Sequence, residues 1–432
     1  MDLDAARPRL PALTSLRFFA AFHVVVFHFQ AMQILLGPAW FQKLSSIGYA
    51  GVSFFFVLSG FILVYTYAGR TVILKDFWRA RFARIYPAYA FSLLVTAPFF
   101  FFAVLTLNVP FFAWAKAHLK LASGLVAILL QAWVPPAALS WNVVAWSLSV
   151  EAFFYLLFPF LLLLLVRRSQ PQLFLIAAAS WLTTLALSGS YVLLNPDHLT
   201  IINSDVLGAF WLNALKFHPL ARLPEFLLGM ACGFLFLRSR REGKLALPLV
   251  LSGMAALIVV VYFSAVIPYP ILHTALLAPA FAAIVYGFAL RPNWGAPLEN
   301  RLLVLCGDAS YSLYLLHSMI IGIYFHDRTG QLRYQSPIGV LVFVVLAVTI
   351  SALVYRLSKN LPAASSTRGA SRNSTAWRRN HLPKTFLREH SPERKLVIHS
   401  THFMYVIDIG NLLSVLWTVS AATLSQVTPA DF

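Results

Sequence analysis

The chain has 432 residues, of which 59% are hydrophobic and only 11% are charged. A soluble domain of this size cannot bury that much apolar surface, and repeated apolar runs of about 20 residues predict an all-α, polytopic membrane protein. The formal net charge is +18, but the cations lie mainly in short gaps between apolar runs, so we expect a lipid bilayer and no nucleic acid as partner. Both cysteines, Cys232 and Cys306, lie in apolar runs, which argues against a disulfide framework or a metal site.

The hydropathy pattern predicts ten membrane-spanning helices. In chain order they are 13–35, 49–68, 86–107, 142–166, 172–194, 223–238, 245–265, 270–290, 303–325 and 337–357. A basic stretch before the third helix, GRTVILKDFWRARFARIYP, is interpreted as a cytoplasmic loop by the positive-inside rule. The other strongly basic gaps fall on the same side, which places both termini in the cytoplasm.

Three regions fall outside this pattern of crossings. Segment 110–134 has a short apolar part, and Arg167-Arg168 can be cytoplasmic only if the segment does not cross, so we predict a re-entrant or interfacial element. The polar stretch 195–222 is predicted to be an outer loop. The domain plan is therefore a cytoplasmic segment 1–12, a transmembrane domain 13–357 and an atypical tail 358–432.

The first helix carries polar groups at membrane depth, which is costly and indicates an inward-facing role. Arg17 and His28 are 11 positions apart, so they lie about 16 Å apart along the axis and share one face. Alternatively, Arg17 snorkels to lipid phosphate and His28 is a packing histidine. His23 points to a different face and is predicted to pack.

Two further motifs suggest donor binding and acid–base chemistry. Arg81 and Arg84 share a helix face at i, i+3 and suit a phosphate-rich ligand, although a basic stretch can also serve topology alone. Glu151 is predicted near the depth of His28, where a carboxylate can orient an imidazole. A structural ion pair is the alternative for Glu151, and Glu225 is a second buried carboxylate that competes for the role.

Weaker candidates lie in two small-residue motifs and beside Glu151. The first motif, GVSFFFVLSGF, contains Ser59, and the second, GDASYSLYLLH, contains Tyr311 and His317. Their small residues also suit close helix packing. Trp146 precedes Glu151 and is either a site residue or an interfacial anchor.

In this order, the motifs resemble those of the acyltransferase-3 family of integral-membrane O-acyltransferases, which modify bacterial surface sugars and some secondary metabolites. LTSLRFFAAFHVVVFHF resembles the family's Arg-x10-His helix, RFARIYP its Arg-x-x-Arg motif, and WSLSVEAFFYLLFP its Trp-Ser-Leu…Glu motif. GVSFFFVLSGFIL and SYSLYLLH resemble its second-helix and late-helix signatures. The resemblance covers about residues 10–357.

The resemblance implies a multi-pass enzyme of the bacterial inner membrane that uses acyl-CoA, most simply acetyl-CoA, as donor substrate and has no bound cofactor. It assigns donor binding to Arg17, Arg81 and Arg84, the general base to His28 and its orientation to Glu151, with Ser59, Trp146, Tyr311 and His317 in support. The acceptor would be a hydroxyl of a cell-surface carbohydrate or lipid-linked sugar, as in polysaccharide or lipopolysaccharide. Direct transfer and a covalent acyl-enzyme both remain open.

Two other functions fit parts of the sequence. Intramembrane charges also mark transport paths, so the alternative is a transporter or flippase of a polysaccharide precursor. A membrane glycosyltransferase is disfavoured because the short outer loops carry no acidic nucleotide-sugar or metal motif.

After Leu357 the chain departs from the family. Members commonly end the last helix with a Glu-x-Pro-x-Arg type sequence, whereas this chain reads YRLSKNLPAASS. With one choice of codons, SKNLPAASS read in a shifted frame gives Glu-Lys-Pro-Ala-Arg-Arg-Val-Leu. We therefore hypothesise a frameshift near Leu357 and expect the Ser/Arg/Asn-rich sequence after it to be disordered, and the coding DNA decides this.

Overall fold

The computed structural model describes residues 7–35, 37–106, 110–200, 208–238, 243–325, 334 and 336–360. Within these ranges the regular structure is helical, with short 3₁₀ turns between some helices. The helices are α1 Pro11–Ala31, α2 Ala39–Ser46, α3 Ala50–Tyr67, α4 Leu74–Thr106, α5 Ala113–Ala117, α6 Leu119–Ala127, α7 Trp146–Leu165, α8 Gln170–Leu194, α9 Phe210–Phe217, α10 Pro219–Arg238, α11 Ala246–Phe263, α12 Tyr269–His273, α13 Ala278–Ala289, α14 Arg301–Phe325 and α15 Pro337–Asn360.

The prediction of ten membrane-spanning stretches is confirmed. In the described part of the chain, ten helical stretches are long and apolar enough to cross a bilayer. Eight correspond to α1, α3, α4, α7, α8, α11, α14 and α15, and two are composite, with α9 and α10 forming Phe210–Arg238 and α12 and α13 lying within Tyr269–Ala289. Residues 1–6 and 361–432, with most of the predicted disordered tail and frameshift product, lie outside the described residues.

The basic stretch before the third predicted helix is not a loop. Its residues from Leu74 onward belong to α4, which has 33 residues and contains Pro87 and Pro98 in its interior. The sequence interpretation took Pro87 as a first-turn residue, but the helix continues through it. A 33-residue helix is about 50 Å long, whereas the hydrocarbon core is about 30 Å thick. Helix α4 is therefore longer than a membrane crossing requires, and its arginines lie on its first turns.

Two other boundaries also differ from the prediction. The helix predicted to start at 142 starts at Trp146, and residues 142–145 form a turn closed by a hydrogen bond from Ala145 N–H to the Asn142 carbonyl oxygen. Part of the predicted outer loop 195–222 is helical, since α9 and the first turn of α10 lie within it. Arg222 is therefore a helical residue rather than a loop residue.

Segment 110–134 has the geometry expected of a re-entrant element. Near the start of the segment, the ring of Phe112 packs against the ring of Phe100 in the C-terminal half of α4. After the segment, the ring of Trp141 packs against the same ring. Between these two points the chain reaches the N-terminal half of α4, where Tyr86 and Tyr89 donate hydrogen bonds to the carbonyls of Ala127 and Val126 at 3.0 and 2.6 Å. The segment therefore descends along α4 and returns, and its helix-end carbonyls find protein donors in place of water.

Close helix contacts position the polar side chains of the bundle. A Cβ on Gly307 of α14 would lie 2.0 Å from the Thr14 carbonyl oxygen of α1, so only glycine permits this approach. A Cβ on Gly229 of α10 would lie 2.0 Å from the Val57 carbonyl oxygen of α3. The pairs α1–α14 and α3–α10 thus pack backbone to backbone, as small residues allow in membranes.

Candidate functional site

Helix α1 carries Arg17 and His28, one in each half, and places them against different partners. The side chain of Arg17 is half-buried near the Gly307 contact with α14. The groups within electrostatic range of Arg17 are Arg84, Tyr155, Glu151 and Asp308. Arg17 therefore belongs to a charged cluster at the end of α1 where the helix begins.

The two arginines of the Arg-x-x-Arg motif have different environments. Arg81 donates a hydrogen bond to the Tyr67 hydroxyl at 3.1 Å, and its guanidinium lies 5.6–5.8 Å from the ring centroids of Tyr67, Phe77 and Tyr155. This aromatic cage holds Arg81 in place. Arg84 is exposed and shares the electrostatic neighbourhood of Arg17, whereas Arg81 is partly buried, so a solvent-borne anion reaches Arg84 more readily.

Glu151 groups with the arginines. The Tyr155 hydroxyl donates a hydrogen bond to its Oε1 atom. The electrostatic neighbourhood of Tyr155 also contains Arg84 and Arg81, so this carboxylate balances part of the positive charge of the cluster. We expected Glu151 to contact His28, but among the described residues the two side chains make no contact. Another residue therefore orients the imidazole.

That residue is His317 of α14. Its Nε2 atom lies 3.3 Å from Nδ1 of His28, and the two ring centroids are 4.8 Å apart. His317 is fully buried, and its Nδ1 lies 2.7 Å from the Tyr314 carbonyl oxygen. Nδ1 of His28 lies 2.8 Å from the Val24 carbonyl oxygen.

These contacts fix the tautomers of both neutral rings. A carbonyl oxygen only accepts, so Nδ1 of each histidine carries the proton. The Nδ1–H of His28 is then shared between the Val24 carbonyl oxygen and the lone pair of His317 Nε2, and both acceptors stabilise a positive charge on the His28 ring. Nε2 of His28 is left as the basic nitrogen, which is the arrangement that a general base requires.

The remaining candidate residues lie in different parts of the bundle. Tyr311 donates a hydrogen bond to the Ile85 carbonyl oxygen at 2.8 Å and joins α14 to α4 beside the arginine cluster. Trp146 is buried at the start of α7, with its ring 4.8 Å from Phe217. Ser59 is half-buried beside Gly60, whose Cβ would lie 2.3 Å from the Phe226 carbonyl oxygen, so close packing explains this part of the second-helix motif.

The sequence interpretation missed a buried ion pair. Arg222 Nε lies 3.2 Å from Glu225 Oε2, and both side chains are almost fully buried. Arg222 also donates hydrogen bonds to Ser53 of α3 at 3.0 Å and to the His273 carbonyl of α12 at 3.1 Å. Glu225 is thus an ion-pair partner of Arg222, and the signal for this was the i, i+3 spacing in RLPE, hidden because Arg222 was assigned to a loop.

Comparison with known proteins gives one family and several relatives. The acyltransferase-3 profile, described as "Acyltransferase domain", matches residues 10–356. Acyltransferase MdmB of Streptomyces mycarofaciens is 30% identical, over 80% of this chain and 88% of that protein. O-acetyltransferase OatA of Staphylococcus aureus is 26% identical, over 79% of this chain but only 55% of OatA. No solved structure matches the chain.

Proposed function

Because this chain belongs to the acyltransferase-3 family and is a multi-pass membrane acyltransferase, we propose that it moves an acyl group, most simply acetyl, from cytoplasmic acyl-CoA to a hydroxyl of a cell-surface carbohydrate or similar acceptor. The membrane would be the bacterial inner membrane. The observation that carries the proposal is that α1 holds an arginine of a cationic cluster at one end and an oriented histidine about 16 Å further along.

The cationic cluster is the proposed donor site. Arg17 and Arg84 are like charges within electrostatic range of one another, and together with Arg81 they exceed the two carboxylates of the cluster, Glu151 and Asp308, by one positive charge. A ligand that brings phosphates between the two guanidinium groups relieves this repulsion and gains charge-assisted hydrogen bonds. Coenzyme A brings such phosphates, and its long pantetheine arm separates them from the reactive thioester.

The histidine pair is the proposed catalytic centre. The acceptor hydroxyl gives its proton to Nε2 of His28 while its oxygen forms a bond to the thioester carbonyl carbon. The carbon–sulfur bond then breaks, and the CoA thiolate leaves with the proton that His28 carries. His317 accepts from Nδ1–H throughout and stabilises the imidazolium that forms between these steps.

Label transfer in membranes tests the proposal. We expect wild-type membranes to move label from [¹⁴C]acetyl-CoA to a carbohydrate or lipid-linked sugar, and His28→Asn to abolish this transfer, a loss of about a hundredfold or more. His23→Asn is the matched control, since His23 bonds the Leu44 carbonyl, at 2.8 Å, and lies five positions from His28, on another face of α1. Undiminished transfer by correctly inserted His28→Asn protein would exclude His28 as the base.

A further inference from the structure

A pocket of about 500 Å³ lies at the end of α1 that carries His28. It is formed by the end of α1, by α2 and the turn before α3, by the chain between α11 and α12, and by α12. Its lining includes Phe27, Gln42, Ser46, Tyr49, Ser264 and Tyr269. The volume falls within the range of about 300–1,000 Å³ that is typical of small-molecule sites.

Three aromatic rings form a continuous wall of this pocket. The centroids of Phe27 and Tyr49 are 5.5 Å apart, and those of Tyr49 and Tyr269 are 5.6 Å apart. Tyr49 is held from behind by a stacked contact with His273, at 4.7 Å and 16°. The rings meet edge to face, at 89° for Phe27 and Tyr49 and 71° for Tyr49 and Tyr269, so the wall is a packed aromatic cluster.

The remaining lining is half polar and half apolar. It includes the amides of Gln30 and Gln42, the hydroxyls of Ser46 and Ser264, and one cation, Lys43. Amides and hydroxyls both donate and accept hydrogen bonds, so they match a ligand rich in hydroxyl groups. An aromatic wall beside such groups suits a sugar ring, which has apolar C–H faces and a polar rim.

The pocket also lies next to the proposed base. Phe27 lines the pocket, and its ring meets the His28 ring edge-on at a centroid distance of 5.1 Å. Arg17 and its cluster lie at the opposite end of the same helix. A ligand in the pocket and a nucleotide at the arginines would therefore reach His28 from opposite ends of α1.

We infer that this pocket binds the carbohydrate acceptor, with a sugar ring against Tyr49 and Tyr269, its hydroxyls at Gln42 and Ser46, and its reacting hydroxyl directed past Phe27 to His28. The inference rests on the proposed acyl transfer and assigns the acceptor end of the reaction.

Two bulky substitutions on different walls test the inference. Ala39→Trp and Ala265→Trp fill the pocket from α2 and from the chain after α11, at residues that are both exposed. Ala31→Trp is the matched control, because Ala31 is exposed at the same end of α1 but does not line the pocket. The probe is the carbohydrate that wild-type membranes label from [¹⁴C]acetyl-CoA, titrated in full-length protein.

We expect both pocket variants to raise the KM for this carbohydrate about tenfold or more, with the KM for acetyl-CoA unchanged and with Ala31→Trp like the wild type. An unchanged carbohydrate KM in both variants would overturn the inference alone. A rise in the acetyl-CoA KM alone would assign the pocket to the donor and also overturn it. Absence of label transfer by the wild type would instead remove the proposed function, and the inference with it.

Discussion

Arg81 and Arg84 share a motif and a helix face, yet their surroundings give them different roles. Three aromatic rings surround the Arg81 guanidinium and fix its position, so its main contribution is to hold α4 against α3 and α7. Arg84 is exposed and shares its electrostatic surroundings with Arg17. The spacing predicts the same donor-binding role for both residues, and for Arg81 this stays a prediction; sequence does not show which of two neighbouring arginines is enclosed.

Replacing Arg84 tests this difference. We expect Arg84→Ala to raise the KM for acetyl-CoA about tenfold, with a smaller effect on kcat, because an exposed charge-assisted contact to phosphate is lost. Arg167→Ala is the control, since Arg167 is an exposed cation beyond the end of α7. Transfer kinetics at varied acetyl-CoA measure the effect. An unchanged KM in Arg84→Ala would separate this arginine from the donor.

The histidine pair shows how far sequence reasoning reaches at a site. His28 was predicted from its depth, its spacing from Arg17 and the family motif. Its partner was assigned to Glu151, because similar estimated depths were taken as contact. His317 is 289 residues away in sequence, and only the close packing of α14 on α1 at Gly307 brings the two rings together.

His317 is expected to position His28 rather than to touch substrate. We predict that His317→Leu lowers kcat about ten- to a hundredfold and leaves the KM for acetyl-CoA unchanged, because it removes one of the two acceptors for the Nδ1 proton of His28 and leaves only the Val24 carbonyl. His317→Gln should retain more activity, since its amide oxygen can take the place of Nε2. A pH profile of kcat that is identical in the wild type and His317→Leu would contradict the positioning role.

At the scale of elements, α10 joins several helices of the bundle through one buried side chain. The Arg222–Glu225 pair on this helix reaches α3 through Ser53 and α12 through the His273 carbonyl. Arg222 also lies 5.4 and 5.9 Å from the ring centroids of Phe56 and Trp146, the second of which belongs to α7. One buried guanidinium thus fixes four helices relative to one another.

Replacing one partner of this ion pair should lower the stability of the protein more than replacing both partners. We expect Arg222→Met to destabilise the protein by about 3 kcal/mol or more, because it leaves the Glu225 carboxylate buried without its cation. The double variant Arg222→Met/Glu225→Met should recover a large part of this loss. Thermal unfolding in detergent measures both, and a double variant less stable than the single would contradict the argument.

The close contact between α3 and α10 can be tested by substituting the glycine at the crossing. Gly229→Ala should destabilise the protein strongly, because the added Cβ would meet the Val57 carbonyl oxygen at 2.0 Å. Gly189→Ala in α8 is the control, since nothing lies within 4 Å of its Cβ position. Alanine is favoured over glycine in a helix by about 1 kcal/mol, so the control should be neutral or more stable. Equal thermal stability of the two variants would exclude backbone-to-backbone packing at Gly229.

The number of spans was predictable and their ends were not. Apolar runs and basic gaps count crossings well, since both reflect the bilayer itself. They also predicted that segment 110–134 does not cross, because the alternation of sides requires it. The predicted start of α4, residue 86, lies twelve residues after the actual start at Leu74. The hydropathy of a charged helical segment is as low as that of a loop, so hydropathy does not distinguish the two.

At the scale of the whole molecule, the bundle has two chemically distinct ends. The arginine cluster gathers where α1 and α14 begin, and the pocket and the histidine pair lie toward the opposite ends of these helices. The proposed reaction requires the arginine end to face the cytoplasm, where acyl-CoA is available. The positive-inside rule predicts this orientation independently of any chemistry.

Cysteine accessibility tests the orientation. In a Cys232→Ala/Cys306→Ala background, Leu44→Cys marks the pocket end and Asn293→Cys marks the arginine end, and both positions are exposed. With a membrane-impermeant maleimide on spheroplasts, we expect Leu44→Cys to be labelled at once and Asn293→Cys only after permeabilisation. The opposite pattern would place Arg17 and Arg84 outside, away from acyl-CoA. The arginine cluster could then not be the donor site, and the donor would have to enter at the end of the molecule that carries His28.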